Sequence, residues 1–280
     1  MKHTLEIASR NVAYWTYGDA KKPVLVMIHG FRGTHHGLEL IAHDLKDFYV
    51  IVPDLPGFGE SAPLKTHDIE GYVAFLSEFI QSLGLNQPPV LLGHSFGSII
   101  ASHFAAEHSS TISNLILINP IGAPALEGPK AAMTKLAIFY YWLGRKLPQR
   151  ASHTWLSAKP IVMGMSITMA KTKDKTLRRY IHGQHLSHFS SFANPEVVAE
   201  AFKASVSHTV REKAEHITTP TLLIVGEKDD ITPLAMQQEL HKMTPNSELF
   251  IIEKVGHLIH YETPAQAAKA ITAFLQAPLQ

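Results

Sequence analysis

Three features predict an α/β protein with a mostly parallel central sheet and an inserted all-helical piece. They are six short apolar runs rich in β-branched residues, segments of helical period between the runs, and one long helical stretch that breaks the alternation. The runs are residues 24–28, 50–52, 90–92, 115–118, 221–225 and 249–252, and their unbroken apolar character is that of strands buried on both faces. Residues 35–47, 69–83, 96–107, 234–243 and 265–275 carry apolar side chains at helical spacing, and parallel strands need crossovers of about that length.

Ahead of this pattern, residues 4–7 and 12–17, separated by Ser9-Arg10-Asn11, read as a β-hairpin. Between residues 121 and 208 no strand is expected, and 131–147, 161–171, 175–187 and 195–207 read as helices. The division is therefore a core of residues 1–120 and 209–280 interrupted by a helical cap at 121–208. The cap is rich in bulky, adaptable apolar side chains such as Met163, Met165, Tyr141 and Trp142. Most of them serve packing, and the remainder, Trp142 among them, are candidates to line an apolar pocket against the core.

Composition narrows the function. The 280 residues are 45% hydrophobic and 18% charged, which is enough apolar material for one large folded unit. Lys and Arg number 25 against 24 Asp and Glu, so no global field favours nucleic acid or an anionic membrane. The short basic stretches at 171–175 and 178–179 read as a solvated face. The absence of cysteine removes disulfides, thiolate metal sites and cysteine nucleophiles. The N-terminus lacks a signal-peptide pattern and no apolar run reaches about 18 residues, so a cytoplasmic protein without stable membrane insertion is expected. His182, His185 and His188 recur every three residues rather than at the i, i+4 spacing of helical zinc sites, and no metal is assigned to them.

The chemistry is carried by Gly93-His94-Ser95-Phe96-Gly97, a G-x-S-x-G sequence that follows an apolar strand and opens a helix. A sharp strand-to-helix turn lifts the serine hydroxyl into the cleft at the strand ends, and the two glycines keep side chains from colliding across it. The same turn puts the Phe96 N–H at a helix N-terminus, where a developing oxyanion is stabilised. A serine hydroxyl needs an adjacent base, and the base an acidic partner. Carboxylates follow the strand at 221–225 in Gly226-Glu227-Lys228-Asp229-Asp230, and an imidazole follows 249–252 in Glu253-Lys254-Val255-Gly256-His257. Both stand at strand carboxyl ends, where sites gather in open α/β sheets.

With the order Ser95, Asp229, His257, the chain resembles the α/β-hydrolase superfamily, in its serine esterase and lipase-like branch with a helical cap. The resemblance spans nearly the whole chain. His29-Gly30-Phe31-Arg32-Gly33 looks like the family's oxyanion loop, and Asp54-Leu55-Pro56-Gly57-Phe58-Gly59-Glu60-Ser61 like its D-x-P-G-x-G-x-S turn. It implies Ser95 as nucleophile, His257 as general base and acid, Asp229 as its orienting acid, and the backbone N–H groups of Phe31 and Phe96 as the oxyanion hole. Asp229 is preferred to Asp230 because the family's acid lies three residues after the strand-ending glycine; Asp230 is otherwise a loop carboxylate, a candidate to cap the helix starting near Pro233. Arg32, His94, Trp142 and His260 are weaker candidates for substrate contact. The other reading of Arg32 is a solvated or internally paired side chain, that of His94 a structural filler, and that of His260 a surface residue. His29 is expected to order the oxyanion loop, and Asp54 its glycine-rich turn.

The resulting expectation is a hydrolase of small to medium, partly apolar carboxylic esters, working through an acyl-enzyme without metal or organic cofactor. Its partner is a small-molecule ester, with no nucleic acid, and its assembly a monomer or homodimer. The same triad serves carbon–carbon bond hydrolases of ring-cleavage products, lactonases and acyltransferases, and the fold also serves ligand receptors without turnover. A serine in place of an aspartate nucleophile argues against the haloalkane dehalogenase and epoxide hydrolase branches.

Overall fold

Alternate residues of β3 (Val24–Ile28) enter different cores. Val26 and Ile28 pack on one face of the sheet, Leu25 and Met27 on the other, and all four are fully buried. The same division recurs in β5 (Val90–His94), β6 (Asn114–Ile118) and β7 (Thr221–Gly226), which is why these runs are apolar without alternation. Each such buried aliphatic side chain contributes about 1.5–3 kcal/mol relative to exposure. The structure, a computed structural model, describes residues 1–123 and 131–277.

With β1 (Lys2–Ile7), β2 (Arg10–Tyr17), β4 (Tyr49–Pro53) and β8 (Ser247–Ile252), the strands form one eight-stranded sheet of order β1-β2-β4-β3-β5-β6-β7-β8. β2 pairs antiparallel with both β1 and β4, and every other neighbouring pair is parallel. One face is covered by α2 (Ile69–Ser82) and α3 (Phe96–Glu107), the other by α1 (Glu39–Asp44) and α11 (Pro264–Gln276). α9 (Leu234–Met243) and the short α10 (Ile259–Glu262) complete the core. Between β6 and β7 lie α4 (Ala131–Lys146), α5 (Gln149–Leu156), α6 (Lys159–Met169), α7 (Lys175–His188) and α8 (Pro195–Ser207). Asp68, Asp174 and Asn194 cap α2, α7 and α8 by accepting backbone N–H bonds, each satisfying donors that the first turn leaves open. No helix among the described residues is long and apolar enough to cross a membrane.

The structure departs from the sequence expectation in four places. The hairpin turns at Ala8 and Ser9, with φ of 47° and 62°, and Ile7 pairs with Arg10, so Arg10 and Asn11 belong to β2. Two left-handed residues match the twist of the flanking strands, whereas a three-residue turn would shift the register. β8 is not buried on both faces: it is the edge strand, and Phe250 and Ile251 remain 40% and 39% exposed. The helix expected at 35–47 is a 3₁₀ turn, His35–Gly37, followed by α1. α5 was not expected, because its eight residues, QRASHTWL, place too few apolar side chains to show a period.

The site is positioned by one topological feature. The chain leaves β3 toward β4 and returns to β5 on the other side, so the strand order reverses between adjacent β3 and β5 and a crevice opens at their carboxyl ends. Ile28 pairs with Gly93, which makes the two ends level. A Cβ on Gly97 would lie 2.3 Å from the Ile28 carbonyl oxygen. Gly97→Ala is therefore expected to cost about 1–3 kcal/mol by overpacking, read as a lower urea midpoint at unchanged m-value.

Candidate active site

Ser95 occupies the turn between β5 and α3 with φ 53° and ψ −117°, a strained conformation for a residue with a side chain. Its N–H donates to the Ile118 carbonyl at 3.0 Å, and its own carbonyl accepts from the Ser98 N–H at 2.8 Å. A Cβ on Gly93 would meet the Gly97 carbonyl oxygen at 2.3 Å, so both glycines of the motif are dictated by close approach.

The three sequence-predicted residues converge. The Ser95 hydroxyl lies 2.8 Å from His257 Nε2, and His257 Nδ1 lies 2.7 Å from Asp229 Oδ2. Asp229 Oδ1 accepts the N–H groups of Ile231 and Thr232 at 2.8 and 3.1 Å. Its Oδ2 also accepts from the Thr232 hydroxyl at 2.5 Å and from Asn119 Nδ2 at 2.7 Å. Burial pushes this carboxyl up, but the neighbouring His257 and the donors converging on it outweigh burial and hold it well below the ordinary carboxylate range. Asp230 is exposed and forms an ion pair with Lys171. The residue flanking α9 at its N-terminus is Pro233.

Asn119 and Thr232 were not singled out from the sequence. Asn119 follows β6 at its carboxyl end, is fully buried, and takes φ 46°, a region asparagine tolerates better than most residues. Its position at a strand end was the available signal. Thr232 stands three residues after Asp229, the spacing of a side chain that closes a local turn.

The loop after β3 completes the site. The Gly33 N–H donates to the Gly30 carbonyl at 3.0 Å, and Arg32 has φ 57°, so Gly30–Phe31–Arg32–Gly33 is a tight turn beside Ser95. His29 locks it: Nδ1 donates to the Gly30 carbonyl at 2.9 Å, and Nε2 accepts the Leu55 N–H at 2.8 Å. Asp54 holds the next turn by accepting from the His35 and Glu60 N–H groups at 2.8 and 2.9 Å. Phe96 is the first residue of α3, so its N–H has no partner within the helix.

Residues 23–264 match the family model described as alpha/beta hydrolase fold. The chain belongs to this family. It is 26% identical to Lipase 1 of Psychrobacter immobilis, over 98% of this chain and 85% of that protein. It is 27% identical to a monoacylglycerol lipase of Xenopus laevis, over 94% and 82% respectively. An esterase from Exiguobacterium antarcticum has the same fold at a TM-score of 0.81, with 19% identity over 99% of this chain and 100% of that one.

In this α/β-hydrolase Arg32, Trp142, His94 and His260 differ in burial and partners. Arg32 is 1% exposed, and its guanidinium donates to the carbonyls of Phe189 at 2.8 Å and Leu156 at 2.9 Å and to the Tyr141 hydroxyl at 3.4 Å. The substrate-contact reading of Arg32 is thereby corrected: its donors tie the turn at residues 30–33 to α4, α5 and the end of α7. Tyr141 and Trp142 of α4 point in different directions. Tyr141 turns inward, 5.7 Å from Phe31 and 4.3 Å from Phe202. One residue further is about 100° around the helix, and Trp142 is 45% exposed and stacks on Phe139.

His94 and His260 are both buried, with ring centroids 4.2 Å apart. His260 is not on the surface, and among the described residues its Nδ1 has no hydrogen-bond partner. Burial, reinforced by His257, pushes His94 down to about 3, and burial pushes His185 down to about 4. His185 shares the Ser166 hydroxyl with His182, and His188 stacks on His36 with centroids 4.0 Å apart.

Two outcomes are expected. Arg32→Ala leaves the buried Leu156 carbonyl and the half-buried Phe189 carbonyl without their donors and should cost about 2–4 kcal/mol in urea unfolding. Because His94 excludes a proton that the unfolded chain binds, its contribution to stability falls as pH drops from 6.5 toward 3. Between pH 7 and pH 5, His94→Gln should therefore lose about 2 kcal/mol less stability than the parent protein, measured by denaturant titration at both pH values.

Proposed function

We propose that this α/β-hydrolase cleaves carboxylic esters through a Ser95 acyl-enzyme. The observation that carries the reading is the continuous chain from Ser95 Oγ to His257 Nε2 at 2.8 Å and from His257 Nδ1 to Asp229 at 2.7 Å. Ser95 Oγ attacks the ester carbonyl carbon while His257 Nε2 takes the hydroxyl proton. The imidazolium so formed is stabilised by Asp229, which the Asn119 and Thr232 donors hold ionised and oriented. The carbonyl oxygen becomes an oxyanion between the N–H groups of Phe31 and Phe96. His257 then returns the proton to the departing alkoxy group, and the alcohol leaves. Water attacks the acyl-enzyme with His257 as base, and the carboxylic acid and free Ser95 are regenerated.

The substrate class follows from chemistry around the site. Phe31, beside the oxyanion position, packs edge-on against Phe58 and Tyr141 and within 5.4 Å of Phe202. Such a wall suits an apolar acyl or alcohol part of small to medium size. Two relatives named as lipases support esters over other acyl compounds.

The reading is checked with a fluorophosphonate probe and a panel of p-nitrophenyl esters of graded chain length. Ser95→Ala should abolish labelling and lower kcat by about 10⁶. Asp229→Asn should lower kcat by about 10⁴, while Asp230→Asn should leave it within about twofold. Absence of labelling and turnover in the folded parent protein, or equal losses at positions 229 and 230, would refute it.

A further inference from the structure

The net charge of +1 conceals a separation of charge along the chain. Between residues 131 and 195 there are ten Lys and Arg and a single carboxylate, Asp174. Asp174 is engaged in capping α7. The remainder of the chain is correspondingly acidic, so the positive field belongs to the helices inserted between β6 and β7.

Within that field lies a shallow, open groove of about 550 Å³ along α7, with Met163 of α6 at its edge. Its lining combines Lys175, Arg178, Arg179 and His182 with Met163 and Leu186. Positions 175, 178, 179 and 182 follow the i, i+3, i+4, i+7 spacing of one helix face. Like charges at that spacing repel, and among the described residues no carboxylate forms an ion pair with Lys175, Arg178 or Arg179. His182 is anchored from behind: the buried Ser166 hydroxyl bonds its Nδ1 at 2.6 Å and the His185 Nδ1 at 2.7 Å. That leaves Nε2 as its ring nitrogen for the groove.

We infer that this groove binds a phosphate-bearing anion. Two guanidinium forks and an ammonium match a tetrahedral oxyanion with several acceptor oxygens. Met163 and Leu186 provide an apolar flank for an alkyl group attached to that phosphate. The groove's lining includes none of Ser95, Asp229 or His257, so it is a second site, separate from ester cleavage.

Titration calorimetry with inorganic phosphate, at constant ionic strength set by chloride, tests for a soluble ligand. Co-sedimentation with phosphatidylcholine vesicles, with and without phosphatidylglycerol, tests for a lipid headgroup. Saturable binding of either probe is expected, phosphate alone indicating a soluble source and phosphatidylglycerol-dependent sedimentation a lipid source. The double substitution Arg178→Gln with Arg179→Gln should weaken it at least about tenfold. Arg150→Gln with Lys159→Gln removes the same charge from exposed positions outside the groove and should change it by less than about twofold. Thermal melting without ligand checks folding, and Lys175→Gln, an exposed single change, repeats the test if the double variant melts early. Failure of both probes to bind the parent protein, or equal weakening by both pairs of substitutions, would overturn the inference.

Discussion

Ser95 is held at φ 53° and ψ −117°, a conformation that costs about 1–3 kcal/mol and persists only where the surroundings leave no alternative. Here those surroundings are two adjacent parallel strands ending at the same height. The Ser95 N–H is captured by Ile118 on β6, and Gly97 lies against the Ile28 carbonyl on β3. Strain at one residue is thus set against the burial of the sheet's central strands, whose side chains are withdrawn from water on both faces. Hydroxyl, imidazole and carboxylate then meet because β5, β7 and β8 all deliver their following loops to one edge.

The polar groups around this edge are arranged for order rather than for charge. His29 bridges the turn at residues 30–33 and the turn that Asp54 organises, in a tautomer fixed by the Leu55 N–H. Arg32 is buried but not uncompensated, since two carbonyls and a hydroxyl occupy its donors. Through it the inserted helices and the turn at residues 30–33 are joined by hydrogen bonds. His94 and His260 remain neutral behind His257 because burial disfavours their protonated forms.

The charge of the inserted helices contrasts with this interior. Core carboxylates are consumed locally, as with Asp54 at His35 and Asp229 at His257. On α7 the cations line an open surface groove, and among the described residues Lys175, Arg178 and Arg179 form no ion pair with a carboxylate. An even overall balance between acids and bases is therefore compatible with a strongly uneven surface, because net charge sums over positions that lie far apart.

The sequence alone carries the central strands, because a run buried on both faces must be apolar at every residue, though not the half-exposed edge β8, and it carries the elbow, because only glycine tolerates the approaches at positions 93 and 97. It also ordered serine, acid and imidazole along the chain. Only the tertiary structure decided that Asp229 rather than Asp230 reaches His257, since both follow the same strand and one backbone step turns a side chain from the interior to solvent. Likewise it placed Asn119 against Asp229, turned Arg32 into a fastening for the inserted helices, and sent Trp142 outward. These outcomes depend on which surface arrives opposite a residue from distant parts of the chain, and local spacing carries no record of that.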